Sequence, residues 1–108
     1  MDIEEINSSV ESIANTFGIR NQQLKLIEEL SELIKEIAID ISNNRDISEA
    51  TILEIADVNI LINQIIYLSN KGNYKIREDL QKAIEYKLMR TIHRIKIGYY
   101  DKEGRKEI

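Results

Sequence analysis

The sequence predicts an all-α fold, an antiparallel bundle of about four helices, and three observations carry that prediction. No proline occurs in 108 residues, so no position is forced out of a helix by a missing backbone donor. The four glycines, at 18, 72, 98 and 104, all fall where a helix can end. Apolar residues recur at spacings of three and four rather than in alternation, which is the periodicity of a helix with one buried face.

The first helix is predicted from Ile3, Ile6, Val10, Ile13 and Phe17, one apolar stripe ended by Gly18. The second runs from Asn21, read as its N-cap, to about Ile41. The segment "SNNRD" is a turn. Asp46 with Glu49 three residues on has the shape of a capping box that opens a third helix reaching about Asn70, closed by "NKGN". The fourth runs from about Tyr74 to Ile97 on a stripe of Ile76, Leu80, Ile84, Leu88, Ile92 and Ile95. Residues 1–97 are read as one domain and 98–108 as a C-terminal tail without clear periodicity.

Composition narrows the function. Apolar residues make up 43% and charged residues 31%, which suits a globular domain with a core. No run of about 20 apolar residues is present, so no membrane-spanning helix is expected. The acidic start "MDIEEINSSVESIANTF" lacks the basic and apolar regions of a secretory leader, and a cytoplasmic location is expected. Without cysteine there is no disulfide, thiolate metal site or cysteine nucleophile. The net charge of −4 gives no sign of nucleic-acid binding, although eight of the fifteen Lys and Arg lie between Lys71 and Lys96.

The acids are the informative residues. "EELSEL", Glu28 to Leu33, lies in the second helix, and "EIADV", Glu54 to Val58, lies in the third. At about 100° per residue, Glu32 falls near Glu28, while Leu30, Ile34, Ile37 and Ile41 fall on the opposite side. Taken alone, the second helix therefore reads equally well as a solvated acidic face. The third helix is apolar almost all round, and Glu54 and Asp57 sit inside an apolar sector. Such a helix is expected to be central and buried, and buried carboxylates are costly unless protonated, paired or bound to a cation. Pairing with the basic fourth helix is one solution. A divalent cation held by two carboxylate pairs from facing helices is the other, and oxygen-only ligation selects Mg2+ or Mn2+ over zinc. The single histidine, His93, lies on the basic helix and is read as a surface or interhelical residue rather than a ligand.

These motifs resemble those of the MazG-like, all-α nucleoside triphosphate pyrophosphohydrolases. "EELSE" followed by "EIAD" is similar to that family's E-E-x-x-E and E-x-x-D motifs, "FGIRNQQLKLIEELSELIKEI" to the lead-in of the first, and "EYKLMRTIHRI" to the basic helix that follows. The likeness spans roughly residues 17–95. It implies Mg2+-dependent cleavage between the α and β phosphates, giving a nucleoside monophosphate and pyrophosphate. It implies Glu29, Glu32, Glu54 and Asp57 as metal ligands, and Glu28 with Glu29 as the acids that orient or deprotonate the attacking water. Lys87, Arg90 and Arg94, at i, i+3 and i+7 of the fourth helix, and Lys25 would contact phosphate. Phe17, Asn21 and Gln23 are the candidate nucleobase contacts, with Phe17 equally placed to end a core stripe. This short chain carries one motif set, so a homodimer or homotetramer (a dimer of dimers) is implied. The alternatives are a phosphoribosyl-ATP pyrophosphohydrolase and a non-catalytic helical dimerisation module.

Overall fold

The computed structural model describes residues 1–71, 75–100 and 103–105. It is all-helical, with α1 at Ile3–Phe17, α2 at Ile19–Ser42, α3 at Glu49–Ser69 and α4 at Lys75–Lys96. The chain divides into two compact units, Met1–Gly72 and Asn73–Ile108. The first holds α1 to α3 and the second holds α4. The expected helix start at Tyr74 and half of "NKGN" lie outside the described residues.

The capping chemistry explains the boundaries of the first three helices. Asp2 opens α1 by accepting from the Glu5 backbone N–H at 2.8 Å. Gly18 ends α1 and also precedes α2, with φ 80° and ψ 165°. A Cβ built there meets nothing within 4 Å, so the demand for glycine is conformational: that region of backbone space is essentially closed to other residues. The second helix consequently starts two residues before Asn21. Asn21 is not its cap; its side-chain amide donates back to the Phe17 carbonyl at 2.8 Å.

The capping box read at Asp46 and Glu49 is also corrected. Ser48, in extended backbone, accepts from the Thr51 N–H at 3.2 Å, and Glu49 is the first helical residue. What moves the cap to Ser48 is Asp40, near the end of α2. Its buried carboxylate, 2% exposed as a residue, accepts from Thr51 Oγ1 at 2.6 Å, from the Ser48 N–H at 3.2 Å and from Arg45 Nε at 3.2 Å. Since each hydroxyl has one proton, the order is fixed: Thr51 donates to Asp40, so Ser48 Oγ donates to Thr51 Oγ1 across their 3.0 Å contact.

Four cross-helix bonds give the directions of the helices. Gln22 bonds Gln64, and Asp40 bonds Thr51, so α2 and α3 run antiparallel. Gln64 bonds the Val10 carbonyl at 3.3 Å and Tyr67 bonds Asn15 at 2.9 Å, so α1 runs parallel to α3. Helix α3 packs against both partners and is central, as expected.

It is not buried, however. Its inner face is Thr51, Val58, Leu61 and Gln64, while Ile52, Leu53 and Ile60 on other sides are 52%, 66% and 42% exposed. Two partner helices cover one side only. Helix α2 is also turned from the orientation its apolar stripe suggests. Gln22, Leu26, Glu29, Leu33, Glu36 and Asp40 make its less exposed face, while Ile27, Leu30, Ile34, Ile37 and Ile41 are open. Among the described residues only Ala14, Val58 and Leu61 are buried apolar residues.

The Asp40 cluster yields a stability prediction. Hydrogen bonding, that of Thr51 first, holds the Asp40 carboxyl below its ordinary value despite burial. A depressed carboxyl contributes stability above its unfolded pKa and loses it as pH falls through the folded one. Thr51→Val is expected to lower the melting temperature at pH 7 by roughly 5–10 °C. The loss should shrink below about pH 4, as calorimetry across a pH series will show.

Candidate functional site

Seven residues separate Gln22 from Glu29, two turns of helix, so both stand on the inner face of α2. Glu54 stands on the inner face of α3 between Thr51 and Val58. The antiparallel pairing brings these acids together. Glu29, Glu54 and Asp57 each offer a carboxylate oxygen, and the three lie within 4.8 Å of one another. The Glu29 side chain is 13% exposed, so it belongs to no solvated face. Glu54 is half-buried and Asp57 exposed, which corrects the expectation that both acids of α3 are buried.

The electrostatics are those of an undercompensated cluster. Glu54 Oε2 is buried and has no hydrogen-bond partner. Burial first, then a hydrogen bond with Glu29, then the neighbouring Glu29, Asp57 and Glu32 charges, push the Glu54 carboxyl above its ordinary value. Lys25 reaches Glu29 at 3.3 Å and Glu28 at 3.6 Å. The hydrogen bond to Glu29 and the two carboxylate charges raise its pKa. Among the described residues no salt bridge satisfies Glu54 or Asp57. One lysine faces at least three carboxylates, and a hard cation is the species such a set of oxygen donors suits. The orphaned Glu54 oxygen shows that the residues present fit one.

A cavity of about 410 Å³ opens beside the acids. Glu29, Asp57 and Lys25 form its charged side, and Ile13, Phe17, Ile60 and Leu61 its apolar side. Gln22 and Gln64 complete it. The volume lies in the range of small-molecule sites, and the lining has the usual mixture of apolar walls and few polar groups.

Several candidate residues therefore meet here: Glu29, Glu54, Asp57, Lys25 and Phe17. Glu32 stands outside the group of three oxygens but near enough to act on Glu54. Glu28 is outside it too, with a side chain 64% exposed and held by Lys25. Asn21 and Gln23 are absent from the cavity lining. Lys87, Arg90 and Arg94 lie on α4, in the second unit, where Arg90 covers the Tyr86 ring at 5.6 Å and Arg94 the Tyr99 ring at 4.6 Å. His93 is exposed. Gln22 and Gln64 escaped the sequence reading. The signal for Gln22 was its spacing of seven from Glu29. For Gln64 it was a polar residue three positions after Leu61 in an otherwise apolar helix.

Compared with protein-family models, characterised proteins and solved structures, the chain matches none. By length and composition α3 is long and apolar enough to cross a membrane, against the expectation that no such helix is present, although core helices of soluble proteins share that property.

The cluster predicts a conflict between stability and charge. Glu54→Gln removes one of the repelling charges and keeps the shape, so in metal-free buffer it should melt above the wild type. Adding Mg2+ should raise the wild-type melting temperature, by about 2.7 kcal/mol of stability at a hundred times its dissociation constant, and move the variant far less. Equal shifts in both proteins would indicate salt screening.

Proposed function

We propose that this protein is a Mg2+-dependent nucleoside triphosphate pyrophosphohydrolase, cleaving a ribo- or deoxyribonucleoside triphosphate between the α and β phosphates. The observation that carries the reading is the convergence of Glu29, Glu54 and Asp57, with a buried, unpartnered Glu54 oxygen, beside a nucleotide-sized cavity whose lining includes Glu29 and Asp57. The motif resemblance to MazG-like enzymes supports the same conclusion.

Glu29, Glu54 and Asp57, with Glu32 beside them, would hold the cation; Mn2+ suits the same donors. Bound there, it would supply charge neutralisation for the triphosphate and polarisation at phosphorus. The protein's own groups account for the remaining requirements. An acidic wall by itself repels a triphosphate, and Lys25 supplies a local positive charge at the cavity. Its links to Glu28 and Glu29 also hold those carboxylates in place. Glu28 is half free of the cluster and solvent-accessible, which suits it to orient a water or take its proton. Lys87, Arg90 and Arg94 form a basic row suited to phosphate: arginine is preorganised for bidentate contact and lysine acts as a point charge. The stacking of Arg90 and Arg94 on tyrosines fixes their guanidinium planes.

Self-association belongs to this proposal. The open row Ile27, Leu30, Ile34, Ile37 and Ile41 on α2 recurs at three and four residues, the pattern of a helix–helix seam. A second copy of the chain would cover it through a two-fold axis, giving a homodimer or a dimer of dimers. The net charge of −4 is in keeping with a cytoplasmic enzyme acting on a small molecule rather than on nucleic acid or membrane.

Two experiments test the proposal. Asp57→Asn and Glu29→Gln should each reduce Mg2+-dependent pyrophosphate release at least a hundredfold while helicity by circular dichroism is retained. Release of orthophosphate in place of pyrophosphate, or full activity in either variant, contradicts it. For assembly, Ile34→Asp should halve the particle mass measured by light scattering at micromolar concentration. A wild-type monomer would refute the seam.

A further inference from the structure

We infer that the buried amide pair Gln22–Gln64 is the base-reading element of the cavity: it selects among nucleoside triphosphates by hydrogen bonding the edge of the nucleobase, which sits against Phe17 and Leu61. This deepens the pyrophosphohydrolase reading and rests on it.

Hydrogen-bond accounting carries the argument. An amide side chain has two N–H donors and a carbonyl acceptor. Gln64, 1% exposed, uses both ends within the protein: its carbonyl accepts from Gln22 and its amide donates to the Val10 carbonyl at 3.3 Å. Gln22, 5% exposed, makes the single bond to Gln64. Its carbonyl oxygen and second N–H have no protein partner, although the residue lines the cavity. The free carbonyl oxygen is not sealed from solvent but opens to the cavity, and an acceptor and a donor left side by side on a cavity wall match a ligand that presents the reverse pair. Base edges do so, and glutamine pairs with them in bidentate fashion elsewhere in nucleic-acid recognition.

Position agrees with chemistry. Gln22 stands seven positions, two helical turns, from Glu29 on α2, and Gln64 the same distance from Asp57 on α3, so the amides and the acids lie apart along the cavity, with Phe17 and Leu61 also in the lining. A nucleotide has the same order: charged phosphates at one end, a flat base with an amide-like edge at the other. Gln64 holds the pair rigid by tying it to α1 through Val10, so the unused groups of Gln22 are fixed before a ligand arrives. Asn21 and Gln23, the neighbours of Gln22 in sequence, are directed elsewhere: Asn21 bonds the Phe17 carbonyl, and Gln23 is no part of the lining.

Calorimetric titration of the full chain, with Mg2+ present, against α,β-methylene analogues of the adenosine, guanosine, cytidine and uridine triphosphates tests this. The wild type should rank the four bases over at least about a tenfold range. Gln22→Met/Gln64→Met replaces both partners by apolar groups of similar shape, which costs the fold little. It should bring all four affinities within about twofold of one another. Gln23→Met should keep the wild-type ranking. A ranking that survives the double substitution, a flat wild-type profile or no binding of any analogue overturns the inference. If the analogues rank as expected but no hydrolysable triphosphate yields pyrophosphate, the catalytic reading fails and the base-reading pair stands. The single Gln22→Glu variant, which keeps one oxygen acceptor and loses the donor, should reorder the bases, and an unchanged order would count against the pair.

Discussion

The mutual repulsion of Glu29 and Glu54 across the α2–α3 seam is the constraint on which the rest of this structure depends. Both acids stand on faces turned toward the partner helix, where an amphipathic helix ordinarily places apolar side chains. Like charges brought together away from water oppose folding, and Lys25 offsets only part of that opposition. The seam must therefore be held from outside the acidic layer. It is held at both ends by polar layers that are better satisfied. At one end Asp40 accepts from Thr51, Ser48 and Arg45. At the other, Gln22 and Gln64 bond each other and reach α1. Val58 and Leu61 fill the space between with apolar contact. Buried polar networks fix register more firmly than apolar contacts do, because any slip leaves several groups unpaired. The two end layers thus set the position at which the acids meet, and the acids form the frustrated layer between them.

The same arrangement explains the chain's small core. Turning Gln22, Glu29, Glu36 and Asp40 inward rotates the isoleucine row of α2 outward. Three covered apolar residues supply little of the burial that a domain of this size ordinarily needs. The outward row and the open flanks of α3 are the largest unused source of burial. Under the proposed self-association, a second copy of the chain would convert them into core.

Much of the fold was legible in the sequence because helix punctuation is local. Gly18 ended α1 where expected, and the turn near Asn43 and the end of α3 fell within a residue or two of their expected positions. The errors came from interactions that are not local. Asn21 was misread as a cap because Gly18 serves two helices at once. Asp46 was misread because the bonds that place the cap at Ser48 come from Asp40, eight residues earlier. The burial of α3 was overstated because an apolar circumference says how much a helix would gain by burial, not whether its own chain covers it. Glu29, Glu54 and Asp57 lie together because their spacing on two antiparallel helices is enough to bring them together. The amides Gln22 and Gln64 were not legible, because glutamine carries no charge pattern and its role appears only when its bonds are counted.

The central claim is that the acids of α2 and α3 form one hard-cation site, and paramagnetic relaxation tests it most directly. Trace Mn2+ added to isotopically labelled protein should broaden the backbone amide signals of residues 28–32 and 53–58 first and most strongly, with Mg2+ restoring them in competition. Broadening spread evenly over the acidic surface, including Glu4, Glu5 and Glu11 of α1, or no competition by Mg2+, would contradict the account.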